Sequence, residues 1–186
     1  MISAGPLPVL YLISCACPPS LGVRTMIDAA AQRGWDVCLI LTPTAERWLN
    51  AEIPILAEVT GHPVRSTYKL PREPDVLPPP DAIVVAPATF NTINKWAAGI
   101  SDTLALGLIT EAIGKRLPLV ALPYLNEWQA SHPVFPKSVQ FLQDAGVRVL
   151  IGEDGYMPHG PQGGKNRDFP WHKALDALPQ PSSCGS

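Results

Sequence analysis

The sequence predicts an α/β fold, a three-layer α/β/α arrangement around a mostly parallel sheet. Three observations predict it. Short apolar runs such as VLYLIS (Val9–Ser14), DVCLIL (Asp36–Leu41) and DAIVVA (Asp81–Ala86) carry no polar alternation. Strands buried on both faces read this way, and that burial is the habit of parallel sheets. Helical segments alternate with these runs, and polar loops follow their ends. Right-handed crossovers then wind the chain into a doubly wound, Rossmann-like (flavodoxin-like) domain.

Taken in order, Val9–Ser14 is the first strand, and a loop with Pro18 and Pro19 follows it. Ser20 is placed to cap a helix over Leu21–Arg33, which Gly34 ends. Asp36–Leu41 is the second strand, 42–44 a turn and Ala45–Asn50 a short helix. Val64–Tyr68 reads as an edge strand, and 69–80 as a loop rich in proline and charge. Asp81–Ala86 is the clearest strand, with Pro87–Thr92 as its exit loop. Helices are expected at Ile93–Ala98 and Asp102–Ile113, and a strand at Leu117–Leu122. Pro123–Pro133 is a second long exit loop, Lys137–Ala145 a helix and Val147–Ile151 the last strand. Beyond Gly152 the residues turn to glycine, proline and polar types, with a short helix at His172–Leu178.

A chain of 186 residues suits one domain with a real core. Residues 1–152 are read as that domain and 153–186 as a C-terminal flap or tail, with Gly160–Asp168 as the flap itself. The formal charge of −2 and the lack of a basic stripe speak against nucleic acid. Met1–Pro8 has no basic leader pattern and no apolar run reaches membrane length, so a cytoplasmic chain is expected, with no membrane partner. Cys15, Cys17, Cys38 and Cys184 make neither a disulfide framework nor a zinc site, and no metal is expected.

Ligands of such sheets bind beyond the carboxyl ends of the strands. The loops at 14–20, 42–44, 87–92 and 123–133 are therefore the informative ones. PATFNT (Pro87–Thr92) packs small residues, two threonines and an asparagine together. Small residues admit a flat ligand, and the polar ones offer donors and acceptors. The plainer reading is a strand–helix loop in which Asn91 or Thr92 caps the next helix. Gly99 then breaks the helical pattern, and Ser101 or Asp102 can start a new helix with its N–H groups toward the site.

PATFNTINKWAAGISDTL (Pro87–Leu104) resembles the signature of the flavin-containing cysteine decarboxylases, which include phosphopantothenoylcysteine and lantibiotic peptidyl-cysteine decarboxylases. Pro87, Ala88, Thr89, Asn91, Thr92, Lys95, Gly99, Asp102 and Leu104 stand in register. LTPTA (Leu41–Ala45) resembles the turn after that family's second strand. PYLNEWQASHP resembles its substrate loop, through Pro123, Asn126 and Pro133. The resemblance covers about residues 9–150. It implies FMN held between subunits of a homo-trimer or a dodecamer, and a small-molecule or peptide substrate with a carboxylate. By position it implies Ser14, Cys15, Thr42 and Thr44 near the FMN phosphate. It implies Pro87, Ala88, Thr89, Asn91, Thr92, Ser101, Asp102 and Thr103 along the ring and ribityl chain, and Asn126 facing the substrate carboxylate as the catalytic residue.

Three departures bear on function. Ser14-Cys15-Ala16-Cys17 replaces a glycine-bearing first loop, so the residue that lets a phosphate approach closely is gone. Leu125, Gln129 and Ala130 replace the Met, Met and Trp of the substrate loop. Fourteen residues before Pro87, where the family carries a histidine, stands Glu73. A shifted alignment brings His62 into question, and His132 lies in the substrate loop. His159 and His172 fall in the polar C-terminal region, and Trp128 is a candidate ligand or subunit contact. Two functions are expected to compete: an FMN-dependent, lyase-type oxidative decarboxylase, and a non-decarboxylating flavoprotein such as a partner or regulatory subunit. Flavin prenyltransferase chemistry ranks below both because SCACPPS lacks a glycine- and serine-rich first loop.

Overall fold

A computed structural model describes residues 6–160 and 168–180. Five parallel strands form one sheet in the order β2-β1-β3-β4-β5. They are β1 (Val9–Ser14), β2 (Asp36–Leu41), β3 (Ala82–Ala88), β4 (Leu119–Pro123) and β5 (Val147–Val149). The helices are α1 (Val23–Gln32), α2 (Pro43–Leu49), α3 (Ile53–Thr60), α4 (Phe90–Ala97), α5 (Leu104–Lys115), α6 (Glu127–Ala130), α7 (Val134–Asp144) and α8 (Trp171–Asp176). The doubly wound α/β architecture is as the apolar runs predict.

Strand alternation divides the core in two. Leu10, Leu12, Leu39, Leu41 and Val84 point to the face covered by α1, α2, α3 and α8. Tyr11, Ile13, Ile40, Ile83 and Val85 point to the face covered by α4, α5 and α7. Burying one fully covered leucine contributes about 1.5–3 kcal/mol, so the paired faces hold the sheet rigid beneath its carboxyl edge. Among the described residues, no helix is long and apolar enough to cross a membrane.

Several boundaries differ from expectation, each for a local reason. The helix expected over Leu21–Arg33 divides into a tight 3-10 turn, Pro18–Gly22, and then α1. Two successive prolines preset φ there and offer no N–H. The expected edge strand at Val64–Tyr68 is only one bridge, Arg65 beside Ile40. Residues 53–60 form α3, which branched IPILAEVT conceals; Pro54 in the first turn and left-handed Gly61 at the end bound it. The exit loop after β3 is short, because Pro87 and Ala88 belong to the strand and Thr89 already caps α4. The Ala86–Pro87 peptide is cis. The long loop 123–133 contains α6, which Asn126 starts. The last strand ends at Val149 rather than Ile151.

Phe169, Ala174, Leu175 and Leu178 join the α1-side core. Arg33 Nη1 meets Asp176 Oδ1 at 2.7 Å, and Arg148 donates to the Ala177 carbonyl. Most of the expected flap at 160–168, namely 161–167, lies outside the described residues, as does Cys184.

Candidate functional site

The order 2-1-3-4-5 reverses direction between β1 and β3, and such a switch point opens a crevice where a mononucleotide can sit. Hydrogen bonds knit the two strand ends together there. Cys15 N–H donates to the Pro87 carbonyl at 3.1 Å, and Cys15 Sγ lies 3.3 Å from Thr92 Oγ1. Thr89 Oγ1 is 3.0 Å from Thr92 Oγ1 and caps α4 by accepting from Thr92 N–H. On the other side of β1, Thr42 N–H donates to the Ser14 carbonyl at 3.1 Å. Thr42 Oγ1 caps α2 by accepting from Ala45 N–H. Ser14, Cys15, Thr42, Pro87, Ala88, Thr89 and Thr92 thus form one contiguous set.

Complete burial pushes the Cys15 thiol above its ordinary pKa, and the threonine hydrogen bonds only partly offset this. The group is a neutral thiol at pH 7 rather than a nucleophilic thiolate.

Asn126 stands next to this set. The exit of β4 is tied to the end of β3 by Tyr124 N–H, which donates to the Ala88 carbonyl at 2.9 Å. Two residues on, Asn126 Oδ1 accepts from Gln129 N–H at 2.9 Å, while Gln129 Oε1 accepts from Asn126 N–H at 3.3 Å. This capping box orients the amide: Oδ1 is committed to the helix start, so Nδ2 is the donor end. Phe90, which replaces a small residue of the signature, stacks 5.8 Å from Phe135 and meets His132 edge-on. It packs α4 against α7, the helix that follows the Asn126 loop.

No side-chain hydrogen bond among the described residues ties the other candidates into this set. Thr44 is exposed and accepts from Arg47 Nη2 at 3.0 Å. Asn91 is exposed on the first turn of α4. Ser101, Asp102 and Thr103 sit beyond the far end of α4. There Lys95 Nζ pairs with Asp102 Oδ2 at 2.5 Å, Thr103 caps α5, and the Ser101 carbonyl accepts from Tyr68.

The histidines divide clearly. Glu73 Oε2 accepts from Leu70 N–H at 2.8 Å and shapes a turn. His62 Nε2 lies 2.8 Å from Asp36 Oδ1, at the start of β2 and hence at the edge opposite the site. His132 Nδ1 accepts from Val134 N–H within its own loop. His159, which the sequence places only in a polar C-terminal region, comes next to Asn126. It is buried, pairs in a bridge with Asn126, and accepts from Glu127 N–H through its carbonyl at 2.9 Å. Its Nδ1 lies 2.8 Å from the Tyr156 hydroxyl, and its ring packs 4.9 Å from Tyr124. Nothing in the glycine- and proline-rich sequence around it signals burial, which comes from an aromatic on β4's exit.

These residues gather where doubly wound sheets take their ligands, and comparison with known proteins gives the family. The Flavoprotein family model matches residues 19–166, and the chain belongs to that family. The match begins past β1 and the Cys15–Pro18 segment. The fold is similar to that of the FMN-dependent cysteine decarboxylase SpaF, with a TM-score of 0.68 and 20% identity, covering 92% of this chain and 97% of that one. The bifunctional coenzyme A biosynthesis protein CoaBC of Bacillus subtilis is 29% identical over 136 residues, 69% of this chain and 32% of that protein. This chain therefore spans about a third of that relative's length. The flavin prenyltransferase UbiX of Thermoplasma acidophilum is 27% identical over 132 residues, covering 67% of this chain and 69% of that protein.

Proposed function

We propose that the chain is an FMN-binding enzyme that oxidatively decarboxylates a small or peptide substrate ending in a cysteine-type carboxylate. The observation that carries this reading is Asn126. Its capping box commits Oδ1 to the start of α6 and leaves Nδ2 as the donor end, in the loop that follows β4 at the carboxyl edge of the sheet. A carboxylate accepts such a hydrogen bond with charge assistance.

FMN suits the residues present. Ser14 Oγ and Ser20 Oγ are buried hydroxyls without a partner among the described residues, one at the end of β1 and one in the turn that follows. Ala86 and Ala88 put small side chains at the end of β3. The polar atoms of Thr89, Asn91 and Thr92 lie within one turn beyond it. Ser14, Cys15, Thr42 and Thr44 would lie toward the phosphate, and residues 87–92 along the ring and ribityl chain. Ser101–Thr103 stand apart from these within one chain, which favours a homo-oligomer, a trimer or dodecamer, in which a second copy supplies them. The same reading places the protein in the cytoplasm.

When bound, FMN supplies a two-electron oxidant for the carbon bearing the thiol. The protein's part is position and exclusion of competing groups. Asn126 Nδ2 holds the carboxylate, Phe90 and Phe135 back the loop, and the neutral Cys15 thiol places no competing anion beside a thiol substrate. The product lacks CO₂ and two hydrogens relative to substrate.

A second reading is a non-decarboxylating flavoprotein, a partner subunit or a member with other chemistry. Glu73 at the expected histidine position is tied into a turn and His62 lies at the wrong edge, and these two facts favour it. The two readings part in one assay: FMN-loaded protein with cysteine-terminated peptides, scored for CO₂. Stoichiometric CO₂ supports the decarboxylase. No CO₂ from any cysteinyl acid or peptide, with FMN fully bound, selects the second reading.

A further inference from the structure

We propose that the chain carries a second ligand site, a cavity between α5 and the β2 edge of the sheet that takes a small amphipathic acid, an aryl or alkyl body bearing one carboxylate. The site is separate from the flavin reading: none of the residues assigned above to FMN or to the substrate carboxylate lines it.

Its position follows from how the sheet is covered. β2 is an edge strand, and α1, α2 and α3 pack against it on one face. On the other face the chain between α3 and β3 stands where a helix would. Arg65 bridges to Ile40 there, and the Pro78 carbonyl accepts from the Tyr11 hydroxyl at 2.8 Å. Five prolines between positions 71 and 80 bar this segment from helical structure. A cavity of about 410 Å³ lies between it, the sheet and α5. Small-molecule sites ordinarily measure about 300–1,000 Å³.

Three elements line the cavity with apolar side chains: Tyr11 and Ile83 of the sheet, Leu104 and Leu108 of α5, and Val76 and Leu77 before β3. It opens to solvent, since Leu77, Leu104 and Leu108 are half-buried and Val76 is 47% exposed. Tyr68 lines it too and lies against α5 at Gly107, where a Cβ would stand 2.0 Å from the Tyr68 hydroxyl. Glycine inside a helix costs about 1 kcal/mol relative to alanine, and here it makes room for that ring.

Charge decides the ligand. Five charged residues line the cavity. Lys69 Nζ pairs with Asp75 Oδ1 at 2.7 Å, and Lys115 Nζ with Glu111 Oε2 at 3.0 Å, so both acids are balanced. Arg65 is the surplus cation. Among the described residues no carboxylate pairs with it, and its Nη2 donates to the Thr67 carbonyl at 3.1 Å. Its backbone is fixed to β2, because Arg65 N–H donates to the Leu39 carbonyl at 3.2 Å and Leu41 N–H to the Arg65 carbonyl at 2.7 Å. A guanidinium so anchored offers a fork that matches a carboxylate. Burial pushes the Tyr11 phenol up to about 12, so it adds no charge at neutral pH. One surplus cation beside an apolar lining selects one acid on an apolar body.

The test uses 4-phenylbutyrate and its neutral counterpart 4-phenylbutanol, titrated calorimetrically into the full chain in excess FMN. The wild type is expected to bind one phenylbutyrate per chain, and the alcohol about tenfold more weakly, the scale of one charge-assisted hydrogen bond. Arg65→Gln should bring acid and alcohol to the same affinity, and Arg65→Lys should keep most of the preference. Leu108→Trp, which fills the cavity, should abolish binding of both. Circular dichroism checks folding, and the two Arg65 variants decide the matter should Leu108→Trp fail to fold. No binding by the wild type, or equal binding of acid and alcohol, overturns the proposal. So does loss of phenylbutyrate binding in Asn126→Ala with retention in Leu108→Trp, which puts the acid in the flavin crevice. A smaller oligomer for Leu108→Trp in sedimentation makes the cavity a seat for a second copy, and overturns it too. A chain that takes up no FMN can still pass this test, so the two readings fail separately.

Discussion

Asn126 does two jobs in this account, and one substitution separates them. Oδ1 caps α6, and under the proposed function Nδ2 would meet the substrate carboxylate. Asn126→Asp keeps an oxygen for Gln129 N–H, and Asp and Asn are equivalent N-caps. Stability should therefore stay within about 0.5 kcal/mol of wild type. The substrate side changes fully, because a donor becomes a carboxylate. Loss of a hydrogen bond to a charged group costs about 1.5–3 kcal/mol. Repulsion between two carboxylates some 4 Å apart adds up to about 4 kcal/mol at an effective dielectric of 20. Even the lower sum, about 3 kcal/mol with partial screening, lowers kcat/KM on the order of 100-fold. Asn126→Ala is the contrast: it removes both atoms, and the lost cap costs about 1 kcal/mol of stability. The assay pairs urea midpoints with CO₂ release from a cysteine-terminated peptide. Turnover by Asn126→Asp at the wild-type rate would refute the reasoning. So would a loss that merely tracks the fall in stability across the two variants.

Other consequences follow from the same structure. Arg116 ends α5 in the left-handed region, φ 56 and ψ 36, so Arg116→Gly should raise stability by about 0.5–1 kcal/mol, read as a higher urea midpoint. Trp96 of α4 is buried and donates to the Ile109 carbonyl of α5 at 3.2 Å. Trp96→Phe should cost roughly 1–3 kcal/mol from the lost bond and volume, measured the same way. Burial raises the thiols of Cys15 and Cys17 and pushes Cys38 up to about 12. The unfolded chain ionises these groups near pH 8.5, so between there and the folded values the native state holds more protons and stability falls as pH rises. The slope is about 1.4 kcal/mol per pH unit for each thiol, visible as urea midpoints declining from pH 8 to 10. At pH 8, iodoacetamide should label all three residues only after unfolding, as peptide mass spectrometry would show.

How much of this was legible in the sequence varies by element. β1 and β2 were readable to the residue, since continuous branched apolar runs between turn residues admit few other structures. α3 was not, because its branched composition suits a strand and its helical state rests on Pro54 and the left-handed Gly61. The polar stretch 87–92 suggested a loop, yet Thr89 spends its hydroxyl on starting α4, so half of that stretch is helix. For the candidate site, Cys15 at the end of β1 does come together with Pro87 and Thr92 of the signature. Ser101–Thr103 do not, and no single-chain pattern could show where a second copy would place them. His159 was hidden because its burial depends on Tyr124, an aromatic 35 positions earlier in the chain. Ser20 looked like an ordinary helix cap. The structure puts it in a 3-10 turn ahead of α1, with its hydroxyl buried and without a partner among the described residues.

The visible absorption spectrum of the purified full chain tests the central claim most directly, with the chromophore released by heat and identified by mass. The account predicts a yellow protein with two visible bands that yields one FMN per chain. A colourless protein that also fails to take up added FMN would contradict it, and would leave the switch-point crevice as a scaffold without its cofactor.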